Sequence, residues 1–299
     1  MRPHSRLTAH QSKKFVERRQ MRGLLVLSLV FISIVSWVFA LSRLSMLDAL
    51  TIRTIEVKGI DQSVAANLQA AALNAIQGDY LGIFSRSNAL IYPHDAVADA
   101  VQASSPRIAA VKVSRNGVRG LSVTVSERDP AAVICANLPE FAADGLASGD
   151  PSPCYFADAE GYIYMAVAAA SLDGHHRYYV PALGDSSSST TDAVIGAHAA
   201  SAGSFAALQG FYDRALESGI PVLSILIKDG GEYEMYAGTS GSDTAVIYFN
   251  DARPLAEELD NLIAFWKRMA SEAQAGGKGM SFEYIDVRYG SNVFYRKIQ

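Results

Sequence analysis

The sequence predicts an α+β protein in which one transmembrane helix is followed by a small β-α-α-β-β unit and then by a mixed, β-rich second domain with a long amphipathic helix. Three observations predict it. Gly23 to Ser42 runs twenty residues without a charge; residues 51–126 switch between strand and helix spacing in a compact order; and after Glu127 the chain breaks into many short β-type runs separated by turn residues. The expected boundaries are 1–22 for a basic tail, 23–42 for the span, 51–126 for the small unit and 127–299 for the second domain.

About 20 apolar residues in an α-helix cover a hydrocarbon core of about 30 Å, and the uncharged run has that length. Seven basic residues (Arg2, Arg6, Lys13, Lys14, Arg18, Arg19, Arg22) and one acidic residue precede it. Orientation follows the Lys/Arg excess beside a span, so the tail is expected in the cytoplasm and everything after Arg43 outside it. Val38-Phe39-Ala40 places small residues before a conceivable cut, which makes a cleaved signal peptide the competing reading. Secretory apolar cores are about 7 to 15 residues long, shorter than this run, which favours an uncleaved anchor. Trp37 near the outer end suits an interfacial aromatic anchor.

The 257 residues from Arg43 onward suffice for one large or two small cores. The first 22 residues carry +6, so the remaining 277 carry −10 to leave the net −4. An acidic exterior argues against nucleic-acid binding, which shows as a clustered basic face. The basic tail is explained by topology and by attraction to anionic headgroups.

Ile52, Ile55 and Val57 form a β-type run ending at Lys58-Gly59, and Asp61 opens a helix. Its apolar positions Val64, Leu68, Ala71, Ala72 and Ile76 follow helical spacing, and Gly78 stops it. A second helix starts at Pro93, tolerated in a first turn, and turns Val97 and Val101 inward before Ser104-Ser105-Pro106. Ile108, Val111 and Val113 lead to Asn116-Gly117, a strong turn signal. Strict alternation follows: Leu121, Val123 and Val125 against Ser122, Thr124 and Ser126. Two helices over one face of a three-stranded sheet satisfy this pattern.

Beyond Glu127, β-type runs are expected at Ala131–Cys135, Cys154–Phe156 and Tyr162–Met165, with Asn137–Pro153 as an exposed loop and Ser186–Thr191 as a mobile polar one. A helix around Phe205–Glu217 precedes strands at Val222–Lys228, Tyr233–Ala237 and Thr244–Phe249. Leu255, Leu259, Leu262, Trp266 and Met269 recur at spacings of three and four, giving a long amphipathic helix after Pro254. Phe282–Lys297 closes the chain as a β-type run in two parts.

Candidate chemistry is sparse. Cys135 and Cys154 both fall on the outer side, where oxidising conditions permit a disulfide; two free buried thiols are the second reading. A zinc site joining them to His175 and His176 is the third, without C-x-x-C or H-x3-H spacing to support it. Gly276-Gly277-Lys278-Gly279 lacks the Ser or Thr and the upstream Gly of a phosphate loop, and Gly238–Ser242 is a turn. Asp158, Glu160, Asp173 and His175 are conceivable acid–base groups, but acidic residues beside Gly are usually turn formers. No catalytic, cofactor or metal residues are expected.

Several short motifs occur in a fixed order. Ile55-Glu56-Val57-Lys58-Gly59 resembles the opening strand of a POTRA domain, and Glu127-Arg128-Asp129-Pro130-Ala131 resembles an E-R-x-P-x-A junction. Asp158-Ala159-Glu160-Gly161 resembles a D-x-x-G turn, Val180-Pro181-Ala182-Leu183-Gly184 a later "lP-x-l-g" element, and Tyr284-Ile285-Asp286-Val287-Arg288-Tyr289 a terminal "y-I-D-l-R-y/f" strand. Together the chain resembles the FtsQ/DivIB family of bacterial cell-division proteins. That resemblance implies a bitopic divisome component of the inner membrane at the division septum, without enzymatic activity or cofactor. By that resemblance its outer domains would bind FtsB- and FtsL-like partners and, through them, help to localise and regulate septal peptidoglycan synthases. The Cys pair, the long Asn137–Pro153 loop and the Ser-rich tract depart from the family pattern.

The partner surface is expected at the chain's end. Ser291, Asn292, Val293, Phe294 and Tyr295 follow directly on Tyr289, and a last strand often lies at a sheet edge, open to another chain's strand. The resemblance points the same way, because the matching end of those proteins receives a segment of FtsB. Alternatively, Val293, Phe294 and Tyr295 complete the core. Two other classes are weighed: a POTRA-containing assembly factor or wall-binding protein at the membrane, and an anchored wall hydrolase, which needs a positioned nucleophile or metal.

Overall fold

The structure is a computed structural model and describes residues 8–138, 140–141, 147–148, 153–167, 174–183, 194–238, 244–276 and 279–298. Several sequence features lie outside the described residues: Arg2 and Arg6, Asp173, the Ser186–Thr191 tract, Thr239–Ser242, Gly277-Lys278 and most of Asn137–Pro153. The chain divides into two compact units, Met1–Ser126 and Glu127–Gln299.

The first unit opens with helix α1, Thr8–Ser45. Its Met21–Ser45 portion is long and apolar enough to cross a membrane, with a mean hydropathy of 2.7 in its most apolar stretch and none of that stretch buried in the protein. A single 3-10 turn, Asp48–Leu50, leads to strand β1, Thr54–Lys58, and helix α2, Gln62–Ala75. Helix α3 spans His94–Ala103, with Pro93 just before it rather than in its first turn. Strands β4, Ile108–Arg115, and β5, Gly120–Glu127, follow. The sheet order is β1-β5-β4, and β1 runs parallel to β5, with Ile55 opposite Leu121 and Val57 opposite Val123. The period-2 alternation of β5 buries Leu121, Val123 and Val125 against Leu68 of α2 and Val97 and Val101 of α3. Between the helices lies an element for which the sequence carries no signal: a hairpin of β2, Asp79–Tyr80, and β3, Phe84–Ser85.

The second unit is built on nine strands. They are β6 (Ala132–Cys135), β9 (Cys154–Ala157), β10 (Ile163–Val167), β11 (His176–Tyr179), β12 (Val222–Ile227), β13 (Glu232–Gly238), β14 (Thr244–Asn250), β15 (Phe282–Tyr289) and β16 (Asn292–Lys297). Their order across the sheet is β10-β9-β6-β11-β12-β13-β14-β15-β16. Strand β11, for which the sequence carries no clear strand pattern, is the fourth of the nine and runs parallel to both β6 and β12. The segment expected as an exposed loop holds a two-stranded ladder of β7, Glu140–Phe141, and β8, Ala147–Ser148.

Helices α4, Ala202–Glu217, and α5, Leu255–Gly276, cover one face of the large sheet. The apolar stripe of α5 (Leu255, Leu259, Leu262, Phe265, Trp266, Met269) packs with Phe205, Leu208 and Phe211 of α4 on Ile247, Phe249, Phe282, Ile285 and Val287. Removing such stripes from water is the main stabilising term, about 25 cal/mol per Å² of apolar surface. The opposite face carries a smaller cluster of Val133, Cys135, Cys154, Tyr179, Leu226 and Tyr236.

The junction motif and the D-x-x-G turn meet. The Arg128 guanidinium pairs with the Asp158 carboxylate and lies 4.2 Å over the Tyr162 ring, while Asp158 Oδ1 accepts from the backbone N–H of Glu160 at 2.9 Å and of Tyr162 at 3.0 Å. Gly161 closes the turn at φ +79°, where a Cβ would come within 2.7 Å of the buried Phe205 ring, so two separate constraints call for glycine.

Candidate functional site

β16 is the last strand of the large sheet. It pairs with β15 on one side, and among the described residues no strand lies on its other side. The two strands turn at Gly290, which has φ +70° and packs so closely against the Arg253 guanidinium that a Cβ would come within 2.3 Å of Arg253 Nη1. Asn261 of α5 donates to the Gly290 carbonyl at 2.8 Å and pins the turn to the helix. An outer row of backbone N–H and C=O groups on such an edge is a template for another strand.

The side chains follow the pleat. Phe294 pairs with Asp286 and belongs to the face away from the helices, where it stands 54% exposed. Tyr289, 57% exposed, meets it edge-on at 5.4 Å between ring centroids. Tyr295, opposite Ile285, leans onto Phe265 at 5.0 Å and Phe282 at 5.8 Å. Val293 is partly buried against the main core, and Ser291 and Asn292 are exposed at the turn. The six residues expected at the partner surface therefore divide. Val293 packs on the core, Tyr295 leans onto it while 41% exposed, and Tyr289, Ser291, Asn292 and Phe294 face outward. A groove of about 430 Å³ runs beside them, lined by Asn261, Phe265, Arg268, Val293 and Phe294 among others.

Arg288 fixes the aromatic rim from behind. Its Nε and Nη2 donate to the two Asp286 carboxylate oxygens at 2.9 and 2.7 Å, and Nη1 donates to Glu232 Oε2 at 2.9 Å. The guanidinium also lies 5.4 Å from the Tyr248 ring centre and 5.9 Å from that of Tyr289. Hydrogen bonds to Asp286 raise its pKa well above the ordinary arginine value, so the charge is permanent. Arg288 lies within the motif read from the sequence, whereas Glu232 reaches it from two strands away, a relation visible only once the sheet order is known.

Glu258, in the first turn of α5, is 1% exposed. Its Oε2 accepts from the Asn250 backbone N–H at 3.0 Å. Burial pushes its pKa above 4.5, opposed by the Asn250 N–H and Arg253 and reinforced by Asp286 and Glu232. The folded state then holds a proton that the unfolded state has released, so this group's contribution falls as pH rises from about 4.5 through the raised value. Glu258→Gln is expected to remove that slope and to gain stability relative to the parent as pH rises across the window. Urea titrations at several pH values check it, and parallel curves for the two proteins would contradict it.

The remaining candidates take structural places. Cys135 and Cys154 form a disulfide between directly opposed positions of β6 and β9. His176 stacks on Tyr212 at 4.1 Å and lies 3.3 Å from Asp213, and His175 meets Phe156 edge-on at 5.2 Å. Asp158 spends its carboxylate on Arg128 and the turn, as a turn-forming residue does, and Glu160 lends it only a backbone N–H. Among the described residues no three His, Cys, Asp or Glu side chains are grouped to hold a metal ion. No protein-family model matches this chain, and no curated protein matches it either.

Proposed function

We propose that this chain is a non-enzymatic scaffold, anchored by α1 with its N-terminus in the cytoplasm, that receives an extended segment of a partner on β16. The observation that carries the reading is the open edge itself: a strand whose outer side has no partner strand among the described residues, backed by Arg288 and rimmed by Tyr289 and Phe294. Strand addition draws affinity from main-chain hydrogen bonds and specificity from alternate side chains, and this edge offers both. The motif order read from the sequence supports a divisome component of the FtsQ/DivIB kind, with a POTRA-like first unit and FtsB- and FtsL-like partners at the septum.

Phe294→Lys in the full chain is expected to weaken capture of an FtsB-like partner at least about tenfold, equivalent to about 1.4 kcal/mol. The melting temperature should barely move, because exposed substitutions shift stability by about 0.5 kcal/mol or less. Pull-down and thermal unfolding on the same samples test it; undiminished capture would remove the edge from the function.

A further inference from the structure

The hairpin between α2 and α3 is pinned to the outer end of α1. Ser42, the last residue of the uncharged run, donates through Oγ to the Ile83 carbonyl at 2.6 Å. One helical turn on, Ser45 Oγ accepts from the Ser85 backbone N–H at 3.1 Å, and the Ser45 carbonyl accepts from Asn88 Nδ2 at 2.9 Å, with Ser45 and Asn88 both buried. These bonds tie the Ile83 end of the Leu81-Gly82-Ile83 turn to the last turn of α1. The turn presents a leucine: Leu81 is 95% exposed. Its backbone has φ +54°, the one left-handed non-glycine residue among those described. Glycine suits that conformation far better than a branched apolar side chain. Among the described residues no core cluster includes Leu81.

Two guanidinium groups lie near the turn, together with the exposed Asp79 next to Tyr80. Arg86 lies 5.7 Å over the Tyr80 ring, beside the turn, and Arg43 lies 5.0 Å over the Phe39 ring, on the helix. Apolar bodies at one level with guanidinium groups around them is how chains sit at the boundary between acyl chains and phosphates.

We infer that the Tyr80–Phe84 turn is a membrane wedge: Leu81, with Tyr80, enters the acyl–headgroup boundary beside α1 while Arg43 and Arg86 engage lipid phosphates. The wedge rests on the reading that α1 crosses the bilayer. It gives the first unit a second attachment to the membrane, so the unit is held against the surface instead of turning freely about its span.

The test uses the full chain in phosphatidylcholine vesicles containing phosphatidylglycerol, with an environment-sensitive fluorophore at Leu81→Cys, at Phe31→Cys within the span or at Val118→Cys, an exposed position in the β4–β5 turn. Lipids with a nitroxide high on the acyl chain supply the quencher. Expected is a blue-shifted emission at 81, quenched at least roughly twofold more than at 118, with 31 also quenched. Quenching at 31 with position 81 as unquenched as 118 would overturn the wedge and leave the anchor standing. No quenching at 31 would overturn the anchor and the wedge together. A blue shift at 81 without lipid quenching would mean that protein covers the turn, and would also overturn the wedge. Omitting phosphatidylglycerol separates the phosphate contribution: the wedge predicts weaker quenching at 81, and none at all with either lipid rejects it.

Discussion

Replacing Arg128 by Ala is expected to cost the second unit about 3 kcal/mol, near the low end for breaking a buried ion pair. The low end applies because 18% of the Arg128 side chain and 12% of the Asp158 side chain remain exposed. The loss comes less from the missing attraction than from the carboxylate left behind. Asp158 is 9% exposed, and without Arg128 it keeps the N–H groups of Glu160 and Tyr162 while losing its cationic partner. Tyr162 loses the guanidinium over its ring as well. Adding Asp158→Asn to Arg128→Ala should recover part of the loss, because the amide oxygen still serves the turn and no charge remains buried. Urea unfolding followed through Trp266, which is 4% exposed in the core of this unit, reads the effect. An Arg128→Ala curve that overlays the parent would show that the junction is held by backbone contacts alone.

How much of this was legible depends on the distance between cause and partner. The stripe of α5 and the alternation of β5 are local periodicities, and the structure buries the residues that those periods select. Asp158 was legible as a turn former from its own type and its neighbour Gly161. Its bond to Arg128 was not, because thirty residues separate them and only the β6–β9 pairing brings the two ends together. β11 fails as a sequence signal for a similar reason: His176-Arg177-Tyr178-Tyr179 shows no alternation of apolar and polar types, and its place is set by β6 and β12 on either side. The strands of the β2–β3 hairpin have two residues each, too few to show an alternation, and its tip puts leucine where turn chemistry favours glycine. At the edge, the β-type run after Tyr289 was legible as a strand, now β16, whereas its place in the sheet is set by pairing with β15. Which of its residues face outward required the pairing of Phe294 with Asp286 and of Tyr295 with Ile285.

The same strand pair carries the other large effect. β6 and β9 are clamped near Ala132–Ala157 by the Arg128–Asp158 contact and at the far end by Cys135–Cys154. The two cysteines are 19 residues apart in sequence, and closing a loop of that size removes enough freedom from the unfolded chain to be worth about 3 kcal/mol at 25 °C. Cys135→Ala with Cys154→Ala is expected to lose about that much in urea unfolding. Alanine is the replacement of choice because both sites are buried, and a serine hydroxyl there would need a partner. The parent should lose a similar amount when reductant is added, while the double variant should not respond. Protein from an oxidising compartment should also show both thiols blocked by mass spectrometry without reduction; a reducing cytoplasmic preparation is no fair comparison. A parent indifferent to reductant would mean that the strand pairing alone sets the stability of this end. Because both clamps hold one pair of strands, the loss on removing them together should depart from the sum of the separate losses, and a strictly additive triple variant would show that each end of the pair holds independently.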